Sequence, residues 1–172
     1  GVSEADQLFD DLNALTDDAI KDIRTTAHLL HPPLLDEVGF TSAARWYVDE
    51  LAKRSGIIAN LDLSANPPLT KSEELAMFRV LQESLTNVIR HSGSQAVDVR
   101  LHSDGQNTFL TVRDYGNGIS SEKLTSFHET GTGVGIGLGG MKQRLRELRG
   151  HLKVSSDHRG TCVTASLPVS ET

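Results

Sequence analysis

The 172-residue sequence is poor in the residues that build disulfide frameworks, metal clusters and membrane spans. Its single cysteine, Cys162, excludes an intrachain disulfide and a cysteine-based metal cluster, and its Val/Thr-rich surroundings are typical of a strand. No apolar run approaches the roughly 18 residues of a membrane span, and no signal-peptide pattern is visible. We therefore expect a cytoplasmic location, with membrane attachment only through segments upstream of this chain.

Basic residues are also in deficit, because 17 Lys and Arg stand against 23 Asp and Glu and leave a net charge of −6. This balance argues against a broad nucleic-acid surface, which needs a basic face. An anionic ligand would have to be held by local donors, a few cations or a metal ion. The hydrophobic content of 37% is that of an ordinary globular protein. The length suits one domain with a modest appendage.

Glycine, by contrast, is concentrated in two places. Six glycines fall within Gly131-Thr-Gly-Val-Gly-Ile-Gly-Leu-Gly-Gly-Met141, and two more follow an aspartate in Asp114-Tyr-Gly-Asn-Gly118. Glycine loses much conformational entropy on folding and adds no side-chain packing, so this density needs a reason. One reason is close approach of the backbone to a ligand, with N–H groups turned toward phosphates. The other is a mobile loop or linker, and the glycine spacing alone does not decide between them.

The order of the predicted elements gives an α+β fold, with a mixed, mostly antiparallel sheet and helices. A narrow apolar stripe predicts a helix from Ser3 to about Leu30. Such a helix packs against another helix, in a hairpin or a dimer bundle, or else it docks on the domain. Pro32-Pro33 ends that helix. The predicted units are residues 1–31, which contain this helix, 32–40, a linker, and 41–172, the main domain. Further helices are predicted at about 41–54, 71–90, 121–127 and 140–148, with strands at 57–63, 96–102, 108–113, 151–155 and 162–167.

The third predicted helix carries an unusual polar face. Glu83, Asn87 and His91 are four residues apart, on roughly the opposite side from its apolar stripe. Asn is a mediocre helix former, so its position within a helix calls for a partner. An amide oxygen is a ligand that Mg²⁺ accepts, and a carboxylate one turn away can orient or deprotonate a nucleophile. The alternative is a solvated face with an incidental asparagine.

Three motifs together resemble a known family. Glu83-Ser-Leu-Thr-Asn87-Val-Ile-Arg-His91, Asp114-Tyr-Gly-Asn-Gly118-Ile and Gly135-Ile-Gly-Leu-Gly-Gly-Met141 resemble the N, G1 and G2 boxes of the ATP-binding domain of sensor histidine kinases. That domain belongs to the group of gyrase, Hsp90 and MutL. The wording of the N and G2 boxes is closest to the subfamily whose response regulators carry a LuxR/NarL-type DNA-binding domain. The resemblance covers about residues 20–168. It implies a two-layer α/β sandwich, with 1–31 as the C-terminal part of a dimerisation and phosphotransfer helix hairpin and 41–172 as the ATP-binding catalytic domain.

The resemblance implies ATP and Mg²⁺ as cofactors and a role for each matching position. Asn87 would be the Mg²⁺ ligand, Glu83 the general base or polariser, and Asp114 the acceptor for the exocyclic amine of adenine. The remaining positions would also bind ATP. Those near the base would be Gly116, Gly118, Ile119 and Thr161, and those at the phosphates would be Arg90 and His91. Those in an ATP lid would be Gly135, Gly137, Leu138, Gly139 and Gly140. The lid glycines would form its hinge, Gly139-Gly140 would begin the next helix, and residues 128–136 should be poorly ordered without nucleotide.

The expected activity is transfer of the ATP γ-phosphoryl group to a histidine on a dimerisation helix. No phosphoacceptor motif of the subfamily, an Arg…Glu-Leu-His-Asp type pattern, occurs here, so that histidine is expected outside this chain. His28, His31 and His128 are interpreted as structural or surface residues, and the chain alone is not expected to phosphorylate itself. The expected partners are a second copy, through the dimerisation helices, and a response regulator. The alternatives are an ATP-binding regulatory module without transferase activity and an anti-sigma-factor-type serine kinase.

Overall fold

A five-stranded sheet forms one layer of the protein. Its strands are β1 Ile58–Asp62, β2 Ala96–Ser103, β3 Asn107–Asp114, β4 His151–Asp157 and β5 Gly160–Pro168, and they lie in the order β1-β2-β3-β5-β4. The computed structural model describes residues 9, 13, 16, 33–64, 67–130 and 136–169, so the predicted N-terminal helix lies almost entirely outside the described residues. β1 runs parallel to β2, while the β2–β3, β3–β5 and β5–β4 pairs are antiparallel. The expected mixed, mostly antiparallel sheet is confirmed.

Helices cover one face of this sheet. They are α1 Pro33–Ser55, α2 Lys71–Asn87, α3 Ser121–Thr130 and α4 Ile136–Glu147, and a π-helical turn, Val88–Ser92, extends α2. Alternate strand residues such as Val97, Val99, Leu110 and Val112 face the helices and are buried. The period of two along each strand therefore separates an apolar inner face from a polar outer face.

The helix α1 begins at Pro33, within the segment expected to be a linker and earlier than the predicted start near Thr41. Proline suits the first turn of a helix, because the N–H that it lacks has no helical partner there. Gly39 interrupts α1 with a positive φ of 76°. At that kink the Phe40 N–H donates to Glu74 Oε1 at 3.0 Å. Leu35 and Phe40 are each only 3% exposed, so this segment contributes to the core.

The helix α2 is the central element of the helical layer, because it contacts α1, α4 and the strands β3 and β5. Thr70 caps its N-terminus, and the Glu73 side chain accepts from the Thr70 N–H at 2.7 Å, which completes a capping box. Phe78, Leu81 and Leu85 are buried, as the periodicity predicted. α2 therefore presents its apolar residues to the core and leaves another face for the polar residues.

The helix α4 also begins earlier than predicted, at Ile136 instead of about Gly140. Gly137, Gly139 and Gly140 consequently lie within this helix, and their role as the hinge of a lid stays a prediction. Lys142 links α4 to the C-terminal end of α3, because its Nζ donates to the carbonyl oxygens of Phe127 and His128 at 3.0 Å each. Of the predicted lid, residues 128–130 end α3, while 131–135, including Gly135, lie outside the described residues.

Candidate nucleotide site

A cavity of about 420 Å³ lies between α2 and the ends of strands β3 and β5. Its floor is formed by Val112 and Asp114 of β3 with Thr161 and Val163 of β5. Val112 lies directly opposite Val163 in the ladder, so the deep part of the floor is apolar. The remaining lining residues come from the helical layer and from the loop after β3. They are Ser84 and Asn87 of α2, Val88, His91 and Ser92 of the π-helical turn, Gly118, Ile119 and Ser120 of the loop, Lys123 of α3 and Leu138 of α4.

Asp114 is the buried carboxylate of this cavity, with 5% of its surface exposed. Its Oδ1 accepts from the N–H groups of Gly116, at 2.9 Å, and Thr161, at 3.2 Å. Within the described part of the chain its Oδ2 accepts no hydrogen bond. An ionised carboxylate in this position is an acceptor only, so the cavity offers one oriented acceptor at its floor.

The loop after β3 needs glycine because other backbone segments approach it closely. A Cβ on Gly116 would lie 2.0 Å from the carbonyl oxygen of Ser92, which accepts from the Asn117 N–H at 2.8 Å. Gly118 has a φ of +74°, and a Cβ there would lie 2.0 Å from the Asp157 carbonyl oxygen. These two glycines allow the loop to pack between the end of α2 and the β4–β5 hairpin.

A hydroxyl network extends this wall of the cavity. Ser156 Oγ lies 2.9 Å from Thr161 Oγ1 and 3.1 Å from the carbonyl oxygen of Gly160, and it accepts from the Ile119 N–H at 2.8 Å. Ser156 therefore links Thr161 to the loop that carries Ile119. Sequence reasoning missed Ser156, because a serine in a strand has no periodic signal of its own.

Asn87 and Glu83 contact each other across one turn of α2. The Asn87 amide donates from Nδ2 to Glu83 Oε1 at 3.3 Å, which leaves Asn87 Oδ1 as an acceptor without a partner among the described residues. No group of three or more His, Cys, Asp or Glu in the described ranges is placed to hold a metal ion. An open amide oxygen is the donor type that suits Mg²⁺ when phosphates and waters supply its other ligands. Asn87 therefore fits a shared Mg²⁺ site, not a cage made by the protein alone.

Glu83 lines a second cavity, of about 630 Å³, on the other side of this pair. α1, α2 and α4 form it, with Tyr47, Trp46, Ile89 and Met141 among its apolar lining residues. Gly137 lies against Glu83, because a Cβ on Gly137 would be 2.1 Å from the Glu83 carboxyl carbon. Burial raises the pKa of the Tyr47 phenol; a hydrogen bond with Thr86 opposes this shift, and the Glu83 charge adds to it. The Glu83 carboxylate therefore faces a largely apolar, partly enclosed space.

The structure brings together only part of the predicted site. Asn87, His91, Asp114, Gly118, Ile119, Leu138 and Thr161 line the smaller cavity, while Glu83 and Gly137 line the larger one. Arg90 is exposed and lines neither cavity, and Gly116 acts through its hydrogen bond to Asp114. Sequence reasoning missed Ser84 and Lys123, which the cavity includes. A serine on the buried side of a helix and a lysine in a short polar helix carry no pattern that marks them.

Comparison with known proteins assigns the family. A family model described as "Histidine kinase-, DNA gyrase B-, and HSP90-like ATPase" matches residues 72–171, more than half of the chain. The chain belongs to this ATPase family. The match spans both glycine motifs and the helix with Glu83 and Asn87, so the resemblance stated from the sequence is confirmed.

Its curated relatives are sensor kinases. The chain is 37% identical to sensor histidine kinase MctS of Rhizobium johnstonii over 88% of its own length and 32% of that protein. It is 32% identical to the signal transduction histidine-protein kinase/phosphatase UhpB of Salmonella typhimurium, over 98% of the chain and 32% of that protein. The chain thus spans about a third of the length of these relatives.

Solved structures support the fold of this ATPase-family chain. The histidine kinase domain of the Erythrobacter litoralis EL346 blue-light activated histidine kinase matches with a TM-score of 0.63 at 21% identity, over 76% of this chain and 61% of that one. Acinetobacter baumannii histidine kinase AdeS matches with a TM-score of 0.62 at 19% identity, over 99% of this chain and 87% of that one. At these identities the likeness shows the α+β fold alone.

Proposed function

We propose that this chain is the catalytic ATP-binding part of a two-component sensor histidine kinase. In the whole protein it would transfer the γ-phosphoryl group of ATP to a histidine on a dimerisation helix. The observation that carries the proposal is the cavity of this ATPase-family chain, which combines a buried acceptor, Asp114, with an open amide oxygen on Asn87.

The base would lie at the floor of the smaller cavity, of about 420 Å³, which is called the nucleotide cavity from here on. Val112 and Val163 supply apolar surface for the faces of a purine, and the free Oδ2 of Asp114 supplies an acceptor for an exocyclic amine. Thr161 and Ile119 border the same region and are held in place by Ser156. The preference for an amine over a carbonyl follows from the carboxylate, because two acceptors facing each other repel.

The phosphates would lie toward Asn87 and His91, on the α2 side of the cavity. When bound, Mg²⁺ would neutralise phosphate charge in the transfer, with Asn87 Oδ1 as its ligand from the protein. His91 can donate a hydrogen bond to a phosphate oxygen, while the exposed Arg90 would add a long-range positive charge. The contribution of these residues is positioning and charge compensation.

Glu83 would act on the histidine that receives the phosphoryl group. It lines the larger cavity, and its hydrogen-bond partner Asn87 lines the nucleotide cavity, so this pair lies between the two spaces. Neutral imidazole is already a nucleophile near pH 7. Glu83 therefore needs only to accept or orient the proton on the other ring nitrogen.

We further propose the partners of the whole protein. The family implies a homodimer, formed through dimerisation helices, and a response regulator; a regulator with a LuxR/NarL-type DNA-binding domain is the specific expectation. No helix in the described residues is long and apolar enough to span a bilayer. The proposal places this part of the protein in the cytoplasm. It assigns residues 1–31 to a dimerisation segment and extends the catalytic unit from Thr41 back to Pro33, where the helix α1 begins.

Titration of the full chain with ATP tests the proposal. We expect binding that Mg²⁺ strengthens, and Asn87→Ala should abolish most of the Mg²⁺ enhancement while adenosine still binds. Asn60→Ala is the matched control, because the exposed Asn60 amide bonds to Asp98 at 2.8 Å, away from the cavity. Calorimetry with and without Mg²⁺ measures both quantities.

The transferase step needs a separate assay. The chain is mixed with a protein that carries a dimerisation helix with its histidine, and transfer from labelled ATP is followed. Binding of ATP without transfer, in the full-length protein as well, would identify a regulatory ATP-binding module instead. Failure of the parent chain to bind ATP at all would refute the proposed function.

A further inference from the structure

Ser84 is a buried polar side chain with an unmet hydrogen-bonding requirement. Only 2% of its surface is exposed, and its Oγ has no hydrogen-bond partner among the described residues. A buried hydroxyl without a partner loses its hydration and gains nothing in return, so such groups are rare and need an explanation. Ser84 also lines the nucleotide cavity.

The surroundings of Ser84 indicate what its partner is. It is one helical turn before Asn87 and belongs to the buried side of α2, with Leu81 and Leu85. The cavity that Ser84 lines also includes the buried apolar residues Val112 and Val163 and the buried carboxylate of Asp114. Charged, hydrated phosphates favour the open and polar part of such a cavity, whereas the flat apolar faces and polar edge of a purine suit this deep part.

We infer that Ser84 is a nucleobase-recognition residue, whose buried hydroxyl turns toward the cavity by rotation about χ1 and bonds to the ring-nitrogen edge of the adenine, directly or through one buried water. Asp114 then accepts from the exocyclic amine and Ser84 meets the neighbouring nitrogen, so both polar positions on that edge are matched. This inference rests on the proposed function, because it specifies how the same cavity distinguishes its ligand.

The chain provides a matched control for the loss of a buried hydroxyl. Thr108 on β3 is fully buried and its Oγ1 also has no hydrogen-bond partner in the described ranges, but it does not line the cavity. Thr108→Val and Ser84→Ala each remove one unpartnered hydroxyl. Both should leave the melting temperature of the nucleotide-free chain unchanged or slightly raised. Ser84→Cys removes the oxygen while it keeps the side-chain bulk, and so separates hydrogen bonding from packing.

The experiment titrates the full chain and these variants with adenosine and with ATP, the latter with and without Mg²⁺. Both Ser84 variants should weaken adenosine and ATP by the same factor, roughly three- to tenfold, the loss of one hydrogen bond. The ratio of ATP affinities with and without Mg²⁺ should stay at the parent value, and Thr108→Val should match the parent throughout.

The outcomes separate this inference from the proposed function. If the parent binds adenosine and ATP and both Ser84 variants bind them equally well, Ser84 is a packing residue and the inference is wrong. A loss for ATP but not for adenosine would place Ser84 at the phosphates and would also overturn it. If the parent binds neither ligand, the proposed function fails and the inference fails with it.

Discussion

Asp114 shows how one side chain can be held by the backbone and still recognise a ligand. Oδ1 is occupied by the N–H groups of Gly116 and Thr161, which fix the plane of the carboxylate. Oδ2 is then left as an acceptor on the cavity side. This acceptor selects for a ligand that donates a hydrogen bond to it. A bound group that cannot donate would remove water from the carboxylate and leave its charge unpaired.

Asp114→Asn should therefore weaken adenine binding. If the amide oxygen keeps the two backbone bonds, its NH₂ group faces the adenine amine, and two donors oppose each other. We expect the ATP affinity to fall by about tenfold or more, the cost of a charge-assisted bond, with little change in melting temperature. Calorimetric titration with ATP and adenosine measures the loss.

The control for this substitution is Asp62→Asn. Asp62 is an exposed carboxylate on β1 that pairs with Arg100 at 3.0 Å, outside the nucleotide cavity. It should bind ATP like the parent. Normal ATP binding by Asp114→Asn would show that the adenine contact has been assigned to the wrong residue.

At the scale of elements, α4 and α2 meet at a contact that only glycine permits. Gly137 lies in the first turn of α4, directly against the Glu83 carboxylate of α2. Gly140, three residues later in the same helix, faces open space in the described part of the chain, because a Cβ added there would meet no heavy atom of another segment within 4 Å. Gly137 therefore contacts Glu83 and Gly140 does not, although both glycines belong to the same helix.

Gly137→Ala should disable Glu83 without unfolding the protein. The added methyl group would displace the end of a flexible side chain, which costs little stability, and the better helix propensity of alanine offsets part of that cost. The displaced carboxylate would lose its hydrogen bond to Asn87. We expect phosphoryl transfer to fall by about a hundredfold, as for the loss of a positioned acid–base group.

Gly140→Ala provides the comparison within the same helix. It should raise the free energy of unfolding by about 0.5–1 kcal/mol and lower transfer far less than Gly137→Ala does, because the added methyl group does not meet Glu83. Denaturant unfolding and the transfer assay are measured on both variants. Equal transfer rates for the two would contradict the role assigned to the Gly137–Glu83 contact.

At the scale of the whole molecule, the folded unit includes the segment first interpreted as a linker. Leu35 and Phe40 are both buried, and Phe40 bonds through its N–H to Glu74 of α2. Lys71 at the start of α2 reaches back to the carbonyl oxygen of Asp36 at 3.1 Å. The start of α1 is thus attached to α2 at several points.

Two truncated chains test this boundary. A chain of residues 33–172 should be more stable than one of residues 41–172, because the shorter chain loses two buried apolar side chains and leaves the space they filled. The difference should be at least about 3 kcal/mol, the usual cost of such losses. Urea denaturation of both chains measures it, and equal stability would restore Thr41 as the start of the domain.

Several elements could be predicted because their cause is local. The polar and apolar faces of α2 follow from spacing along 71–90, and the β2–β3 hairpin follows from alternating residues around Asp104-Gly105. The starts of α1 and α4 were placed too late. Proline and glycine near a helix start are compatible with both a loop and a first turn, and packing against α2 decides between them.

The sequence by itself determined the family, the fold class and the pairing of Asp114 with its glycines, because these depend on residue types at set spacings. Only the tertiary structure decided that Glu83 and Asn87 border different cavities, that Gly137 touches Glu83, and that Ser84, in the lining of the smaller cavity, has a buried hydroxyl without a partner among the described residues. Each of these facts depends on elements distant in the chain, which come together only when the helices pack on the sheet. The periodicity of residues along one element does not predict which residues of distant elements will come into contact.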